Sequence, residues 1–369
     1  MRIIISGGGT GGHIYPAITI AKAIKEKVEC CEILFIGTHN GLEADIIPKE
    51  GFEIKFIDVA GFERRLSVKN MQNLIKAIGS VWKSRKFISQ FKPDLVIGTG
   101  GYVCGPVLLA ASLLKIPTMI QEQNVIPGAT NKILSRFVDK VVLGFAETEK
   151  YFVNSGKVFF SGNPIRKEVI SATRKEGIEA LGLDSAKRTI LISGGSRGAR
   201  SINQAMIPVH QYFAGSKEIQ LLHVTGQSEY NGIVGKFNQS GIDIITAGNI
   251  IIKPYLYNMP LALAVADLAI FRAGALGLAE LTARGIPSIL IPYPYAAANH
   301  QEFNAREMER QGAAVLIRDN ELTSDILLKT IKELIHSHEK LNTMALASKK
   351  IGRPKAAECI AQVALSLIK

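Results

Sequence analysis

At 369 residues the chain exceeds the roughly 250 to 300 at which single hydrophobic cores stop growing, which predicts two domains of about 150 to 200 residues and excludes a lone small binding module. An apolar fraction of 47%, with 21% charged residues and 34 glycines, excludes disorder, collagen and coiled coil and points to a folded α/β protein. Lys and Arg outnumber Asp and Glu by 44 to 32, and the net charge of +12 implies an anionic partner: a phosphorylated substrate, an acidic membrane surface or nucleic acid.

In chain order, short apolar runs bounded by turn residues predict buried strands over 2–6, 33–37, 95–99, 118–121, 140–143, 189–193, 219–224, 268–271 and 288–292. Helical spacing of apolar residues lies between them, as over 16–27 and 203–213, and strand–helix alternation implies parallel sheets. The first strand runs into Gly7-Gly8-Gly9-Thr10-Gly11-Gly12-His13, and roughly 190 residues later a second strand runs into Gly194-Gly195-Ser196-Arg197-Gly198-Ala199-Arg200. Two such openings predict two doubly wound halves facing one another, with the boundary near 163–171. The apolar stretch at 1–6 is too short for a signal-peptide core, and the uncharged stretches 102–114 and 285–299 are too short or too proline-broken to span a bilayer. Four cysteines, Cys30 and Cys31 adjacent, form no C-x-x-C pair, so neither a disulfide framework nor a zinc site is expected.

Each glycine turn opening a helix points backbone N–H groups and the positive end of the helix dipole at one spot, which suits a phosphate; close packing is the alternative reason for the glycines. The first turn fits G-x-G-x-x-G, but the second strand is followed by Thr38-His39-Asn40 where a ribose-binding acid would stand, which argues against a nicotinamide enzyme. His13 at the start of its helix is either a cap or a neutral imidazole able to accept a proton. A third strand end, Arg272-Ala273-Gly274-Ala275-Leu276, leads to Glu280, which is either an ordinary helix residue or a carboxylate placed to bind ribose hydroxyls. From Arg64 to Lys92 there are eight basic residues and no acidic one, interleaved with Leu74, Ile75, Ile78 and the only tryptophan, Trp82. That profile fits an interfacial helix on anionic lipid, with Lys76 and Lys83 beside the apolar residues, or a solvated helix with its apolar side in the core. Aromatic support for nucleic-acid stacking is thin, and no nucleic-acid partner is expected. No metal-ligand spacing is present, and no metal or other cofactor is expected.

The combination of GGGTGGH, Gly100-Gly101-Tyr102, Glu122-Gln123-Asn124, Gly162-Asn163-Pro164-Ile165-Arg166, Gly194-Gly195-Ser196, Arg272 through Glu280, and His300-Gln301 with Asn304-Ala305 resembles the MurG family. Its members are bacterial UDP-N-acetylglucosamine:undecaprenyl-diphospho-muramoylpentapeptide N-acetylglucosaminyltransferases of peptidoglycan synthesis. The resemblance implies a GT-B fold of two Rossmann-like domains facing a cleft. Residues 1–165 would bind the lipid-linked acceptor, with a final helix at about 351–369 packing back on them, and 166–350 would bind the UDP-sugar. It implies contacts to the donor from Thr10, Gly11, Gly12, Asn124, Arg166, Ser196, Leu256, Ala275, Leu276, Glu280, His300 and Gln301. To the acceptor diphosphate it implies Gly8, Gly9, Thr10, Gly11, His13 and Tyr102, with His13 as catalytic base. It further implies peripheral attachment to the cytoplasmic face of the bacterial cell membrane. The chain departs from the family's pattern at Gln121, where histidine is common, Arg197, where glutamine is common, Gly277, where threonine is common, and His300, where glutamine can occur. The alternatives are another GT-B enzyme with a glycolipid acceptor and a non-enzymatic membrane-binding protein.

Overall fold

The computed structural model describes residues 1–59, 68–153, 155–195, 198–239 and 248–368, with side chains outside 68–77 and 238–239. The chain divides into two compact units, Met1–Ile165 with Lys355–Lys369, and Arg166–Pro354.

The strands of the first unit are β1 (Arg2–Gly7), β2 (Glu32–Gly37), β3 (Glu53–Phe56), β4 (Leu95–Gly100), β5 (Thr118–Glu122), β6 (Lys140–Leu143) and β7 (Val158–Phe160). Its helices are α1 (Gly11–Lys27), α2 (Glu43–Lys49), α3 (Val68–Phe91), α4 (Cys104–Leu113) and α5 (Ala129–Leu134). In the second unit α6 (Lys167–Ser171) and α7 (Arg174–Leu181) precede β8 (Arg188–Ser193), α8 (Arg200–Phe213), β9 (Ile219–Val224), α9 (Tyr230–Gln239), β10 (Ile250–Lys253) and α10 (Met259–Val265). There follow β11 (Ala266–Phe271), α11 (Ala275–Arg284), β12 (Ser288–Leu290), α12 (His300–Arg310), β13 (Ala314–Leu316), α13 (Ser324–Ile335) and α14 (His338–Ile351), and last α15 (Ala356–Leu365), which belongs to the first unit.

Both sheets are parallel, in the orders β3-β2-β1-β4-β5-β6-β7 and β10-β9-β8-β11-β12-β13. The two openings noticed in the sequence therefore occupy equivalent places, β1 between β2 and β4 and β8 between β9 and β11. In a doubly wound sheet this is where the strand order reverses and where ligands bind, outside the carboxyl ends of the strands.

Parallel strands covered on both faces need apolar residues at every position, which is why the inner strands read as unbroken runs. Along β1, Ile3 and Ile5 join one core cluster with Ile33 and Phe35, while Ile4 joins the opposite one with Leu34 and Ile36. Each fully buried side chain of this size is worth roughly 1.5–3 kcal/mol, so the central strands fix the position of the turns they lead into. α1 lays Ile14, Ala17, Ile18, Ala21 and Ile24 on this sheet, and α15 packs on α1 through Ile360, Ala361 and Ala364. The strand expected over 288–292 stops at Leu290, ahead of Pro292, which has no N–H to give to a ladder.

Candidate functional site

In the first unit the site begins where β1 ends. α1 starts at Gly11 with Thr10 in extended conformation at its N-cap and no side-chain cap. The amides of Gly8 and Gly9 are engaged by the protein itself, Gly8 N–H donating to the Gly100 carbonyl at 3.4 Å and Gly9 N–H to Glu43 Oε2 at 2.9 Å. Of the expected acceptor-binding turn, the backbone donors that find no acceptor among the described residues are therefore those of Thr10, Gly11 and Gly12. Glu43 is 1% exposed and also accepts from Thr38 N at 3.0 Å and Thr38 Oγ1 at 2.7 Å. A Cβ added at Gly8, Gly37 or Gly41 would come within 2.1–2.6 Å of this side chain, so the glycines make room for a carboxylate beneath the turn. Glu43 belongs to none of the sequence motifs that mark the turn.

His13 is half-buried against the end of β4. Its Nδ1 lies 3.0 Å from the Thr99 carbonyl oxygen and 3.0 Å from Gln123 Oε1, while Thr99 Oγ1 donates to the His13 carbonyl at 2.7 Å. Gly101, with φ +85, passes so near Gly8 that a Cβ would meet the Gly8 carbonyl oxygen at 2.4 Å. This close approach sets Tyr102, 60% exposed, beside the first turn. Asn124 follows β5, its N–H held at 2.9 Å by Glu122, whose carboxylate also takes Gly128 N–H at 3.0 Å and Asn131 Nδ2 at 2.8 Å.

The second unit repeats the plan. Between β8 and α8, Gly198 (φ +75) would drive a Cβ to 2.1 Å from the Thr225 carbonyl oxygen, so only glycine lets this loop close on the end of β9. Ala199 caps α8 and Gly274 caps α11, neither with a side-chain hydrogen bond, and helix starts capped in this way suit an anion bound through the backbone. Helices α7, α13 and α14, by contrast, carry Thr173, Thr323 and Ser337 as side-chain caps. Arg272 holds this edge together, donating to Asp319 at 2.6 Å, to Ser201 Oγ at 2.8 Å and to the carbonyls of Ile291 and Pro292. Ser201, near the start of α8, in turn donates to Asp319 at 2.6 Å.

Ala275 and Leu276 open α11, and Glu280 lies one turn further on. Its carboxylate accepts from Arg166 Nη2 at 3.1 Å, so the residues expected to meet the donor's ribose and phosphates are paired with each other. Burial pushes the Glu280 carboxyl pKa up, and the Arg166 charge and hydrogen bond pull against it. Gln301 accepts from Tyr293 N–H at 2.9 Å, which leaves its amide NH₂ as the outward donor, and His300 Nδ1 donates to the Ala297 carbonyl at 2.8 Å. Leu256 is half-buried in the loop between β10 and α10. Ser196 lies outside the described residues, as do the side chains of Leu74, Ile75 and Lys76.

Along the rest of α3, Ser80, Ser84 and Ile88 are buried while Ile78 and Trp82 are 55% and 68% exposed. Arg85 stands over the Trp82 ring at 5.9 Å, and Lys83 pairs with Asp58 at 3.2 Å. Among the described residues no helix is long and apolar enough to cross a membrane.

Models of the glycosyltransferase family 28 N-terminal and C-terminal domains match residues 3–143 and 189–360. A Desulforamulus reducens protein named UDP-N-acetylglucosamine--N-acetylmuramyl-(pentapeptide) pyrophosphoryl-undecaprenol N-acetylglucosamine transferase is 49% identical over 356 residues, 96% of each chain. The protein of the same name from Acetivibrio thermocellus is 48% identical over 369 residues, 100% of this chain and 99% of its own. The crystal structure of Acinetobacter baumannii MurG matches with a TM-score of 0.78 at 27% identity, covering 99% of both chains. At 13% identity, the UDP-GlcNAc 2-epimerase of Neisseria meningitidis, solved bound to UDP-GlcNAc, shares the fold with a TM-score of 0.72, over 99% of this chain and 100% of its own. The chain belongs to glycosyltransferase family 28 and, within it, to the MurG family.

Proposed function

We propose that the chain is an inverting glycosyltransferase that moves N-acetylglucosamine from UDP-N-acetylglucosamine to the C4 hydroxyl of undecaprenyl-diphospho-N-acetylmuramoyl-pentapeptide. The observation that carries this reading is identity of 48–49% over 96–100% of the chain to relatives named for that transfer. The geometry supplies parts suited to it. In the first unit, the amides of Thr10, Gly11 and Gly12 at the positive end of α1 suit the acceptor's diphosphate, with Tyr102 beside them. His13 accepts the proton of the attacking hydroxyl as its oxygen bonds to the anomeric carbon. The bond from that carbon to UDP breaks, and its electron pair leaves on the diphosphate. In the second unit the uncapped starts of α8 and α11, Arg166 and Ser196 oppose that developing charge, while Glu280 holds the ribose hydroxyls and Leu256 offers backbone groups to the uracil. Asn124, His300 and Gln301 hold the sugar. The transfer needs orientation, a base and charge stabilisation, and asks no metal of the chain.

We further infer a peripheral seat on the cytoplasmic face of the bacterial membrane, supported by Ile78 and Trp82 standing exposed on α3 beside Arg85 and Lys86. Release of UDP from UDP-N-acetylglucosamine, measured with and without a short-chain lipid-linked muramoyl-pentapeptide diphosphate, tests the reaction. Release is expected only with that acceptor. UDP binding without release would move the acceptor to another lipid, and failure to bind UDP would refute the transferase reading.

A further inference from the structure

Gln123 follows β5, is 2% exposed, and has no part in the chemistry described above. Its Nε2 is surrounded by oxygens: the Thr99 carbonyl at 2.7 Å, the Gln121 carbonyl at 3.0 Å and the Gln121 side-chain Oε1. With the amide reversed, Oε1 would be pressed against acceptors that cannot donate, so the orientation is fixed and Oε1 faces His13 Nδ1. Buried neighbours hold it there, Gln121 Nε2 donating to Asn163 Oδ1 at 2.9 Å and Asn163 Nδ2 to the Gln123 carbonyl at 2.9 Å. His13 Nδ1 thus meets two pure acceptors, Gln123 Oε1 and the Thr99 carbonyl, each at 3.0 Å. A ring nitrogen so placed must carry the hydrogen, and in a neutral imidazole the other nitrogen then carries the lone pair.

We propose that Gln123 is a positioning residue for glycosyl transfer: together with the Thr99 carbonyl it holds His13 as the Nδ1–H tautomer, so that Nε2 is the atom that takes the acceptor's proton. This rests on the reading of His13 as base. The hydroxyl O–H bond breaks and an N–H bond forms at Nε2, giving an imidazolium with both nitrogens protonated. The hydroxyl oxygen bonds to the anomeric carbon as UDP departs with the electron pair of the broken C–O bond, and the imidazolium later returns its proton to water. A neutral amide suits this place, because it fixes the tautomer without adding a negative charge beside a site built for a diphosphate.

The test uses full-length protein with 15N-labelled histidine, whose long-range 1H–15N spectra distinguish protonated from unprotonated ring nitrogens, His13 being assigned by its loss in His13→Ala. Wild type should show protonated Nδ1 and unprotonated Nε2. In Gln123→Met the Nε2–H form should become populated and kcat should fall roughly ten- to hundredfold, short of the hundred- to ten-thousandfold for losing the base altogether, with KM for both substrates near wild type. Protonated Nε2 in the wild-type protein, a measurement that needs no variant to fold, would overturn the proposal. So would a Gln123→Met protein with wild-type tautomer and turnover. Turnover retained in His13→Ala would overturn it through the base reading, and the tautomer spectrum, which needs no turnover, tells the two failures apart.

Discussion

Glu280 and Arg166 occupy each other in this structure, and that pairing makes a prediction about the donor. The Glu280 side chain is 16% exposed, and burial raises its pKa while Arg166 opposes the rise. In the proposed role this carboxylate accepts hydrogen bonds from the ribose hydroxyls. Glu280→Gln should weaken UDP binding by roughly ten- to hundredfold, the 1.5–3 kcal/mol of a hydrogen bond to a charged group, as read by calorimetric titration. Affinity equal to wild type would leave Glu280 as nothing more than the partner of Arg166. A candidate of this kind can be picked out in the sequence because its elements sit inside one motif: a strand end, a glycine, a helix start and a carboxylate one turn on. Glu43 cannot be, and Gln123 stands in the Glu122-Gln123-Asn124 motif with no role attached, because each acts on a residue far away along the chain. Glu43 meets Gly9 across 34 positions and Gln123 meets His13 across 110, and only the sheet order brings them together.

At the scale of elements the same distinction separates interior strands from edge strands. The nine strands expected from the sequence are the nine interior ones, whose burial on both faces demands continuous apolar runs. The four not expected, β3, β7, β10 and β13, are the sheet edges; each is only partly buried, and so does not demand the unbroken apolar run that marks equally short interior strands such as β6 and β12. α2 was missed as well, although its first residue, Glu43, fixes the first glycine turn. Glu43→Ala removes the buried carboxylate that takes Gly9 N–H and both donors of Thr38; Gly9 is exposed and Thr38 half-buried, so water replaces part of what is lost and the cost falls short of the roughly 1–3 kcal/mol per group of a fully buried donor. The variant should melt earlier and show a raised KM for the lipid-linked acceptor, while its affinity for UDP stays at the wild-type value. An equal rise in the UDP dissociation constant would mean that the damage is general rather than confined to the acceptor turn. On α3, Trp82→Glu places a charge among the exposed apolar residues without touching the buried Ser84 and Ile88. It should reduce sedimentation with anionic vesicles and leave turnover on a water-soluble acceptor analogue unchanged. Undiminished vesicle binding would place the membrane contact elsewhere.

The whole molecule is built from two sheets of one design, 3-2-1-4-5-6 in each counted from its own first strand, with a seventh strand added to the first. That repetition is visible in the two glycine openings, but a chemical asymmetry between the cores shows only in the structure: the second contains two buried histidines. His210 on α8 and His223 on β9 are both fully buried, with ring centroids 5.2 Å apart and Phe237 of α9 at 4.8 Å from His210. One ring nitrogen of each makes a hydrogen bond, His210 Nδ1 to the Met206 carbonyl and His223 Nε2 to Asn203, while His210 Nε2 and His223 Nδ1 have no hydrogen-bond partner among the described residues. Protonation would bury both a charge and an unmatched N–H. Burial accordingly pushes His210 from the ordinary 6.5 down to about 4, and burial with the neighbouring His210 also holds His223 well below 6.5. An unfolded chain takes up these protons as pH falls through 6.5, whereas the folded unit refuses them until about 4. Stability of the second unit is therefore complete above the ordinary histidine range and is lost as pH falls from 6.5 toward 4, by roughly 3 kcal/mol for His210 alone. Glu302 cannot account for a loss in that window: hydrogen bonds from Asn299, Arg306 and Arg318 hold it down to about 2, so its contribution fades only below the ordinary 4.5. Thermal melts at about pH 7.5 and pH 5 should show the second unit, identified as the one whose melting rises with added UDP if the proposed donor site is there, unfolding earlier in acid, and His210→Phe, which keeps a ring beside Phe237 but cannot take up a proton, should make the dependence shallower. A melting temperature of that unit unchanged between the two pH values would mean that the imidazoles do not resist protonation in the fold, and the buried neutral pair would have to be abandoned.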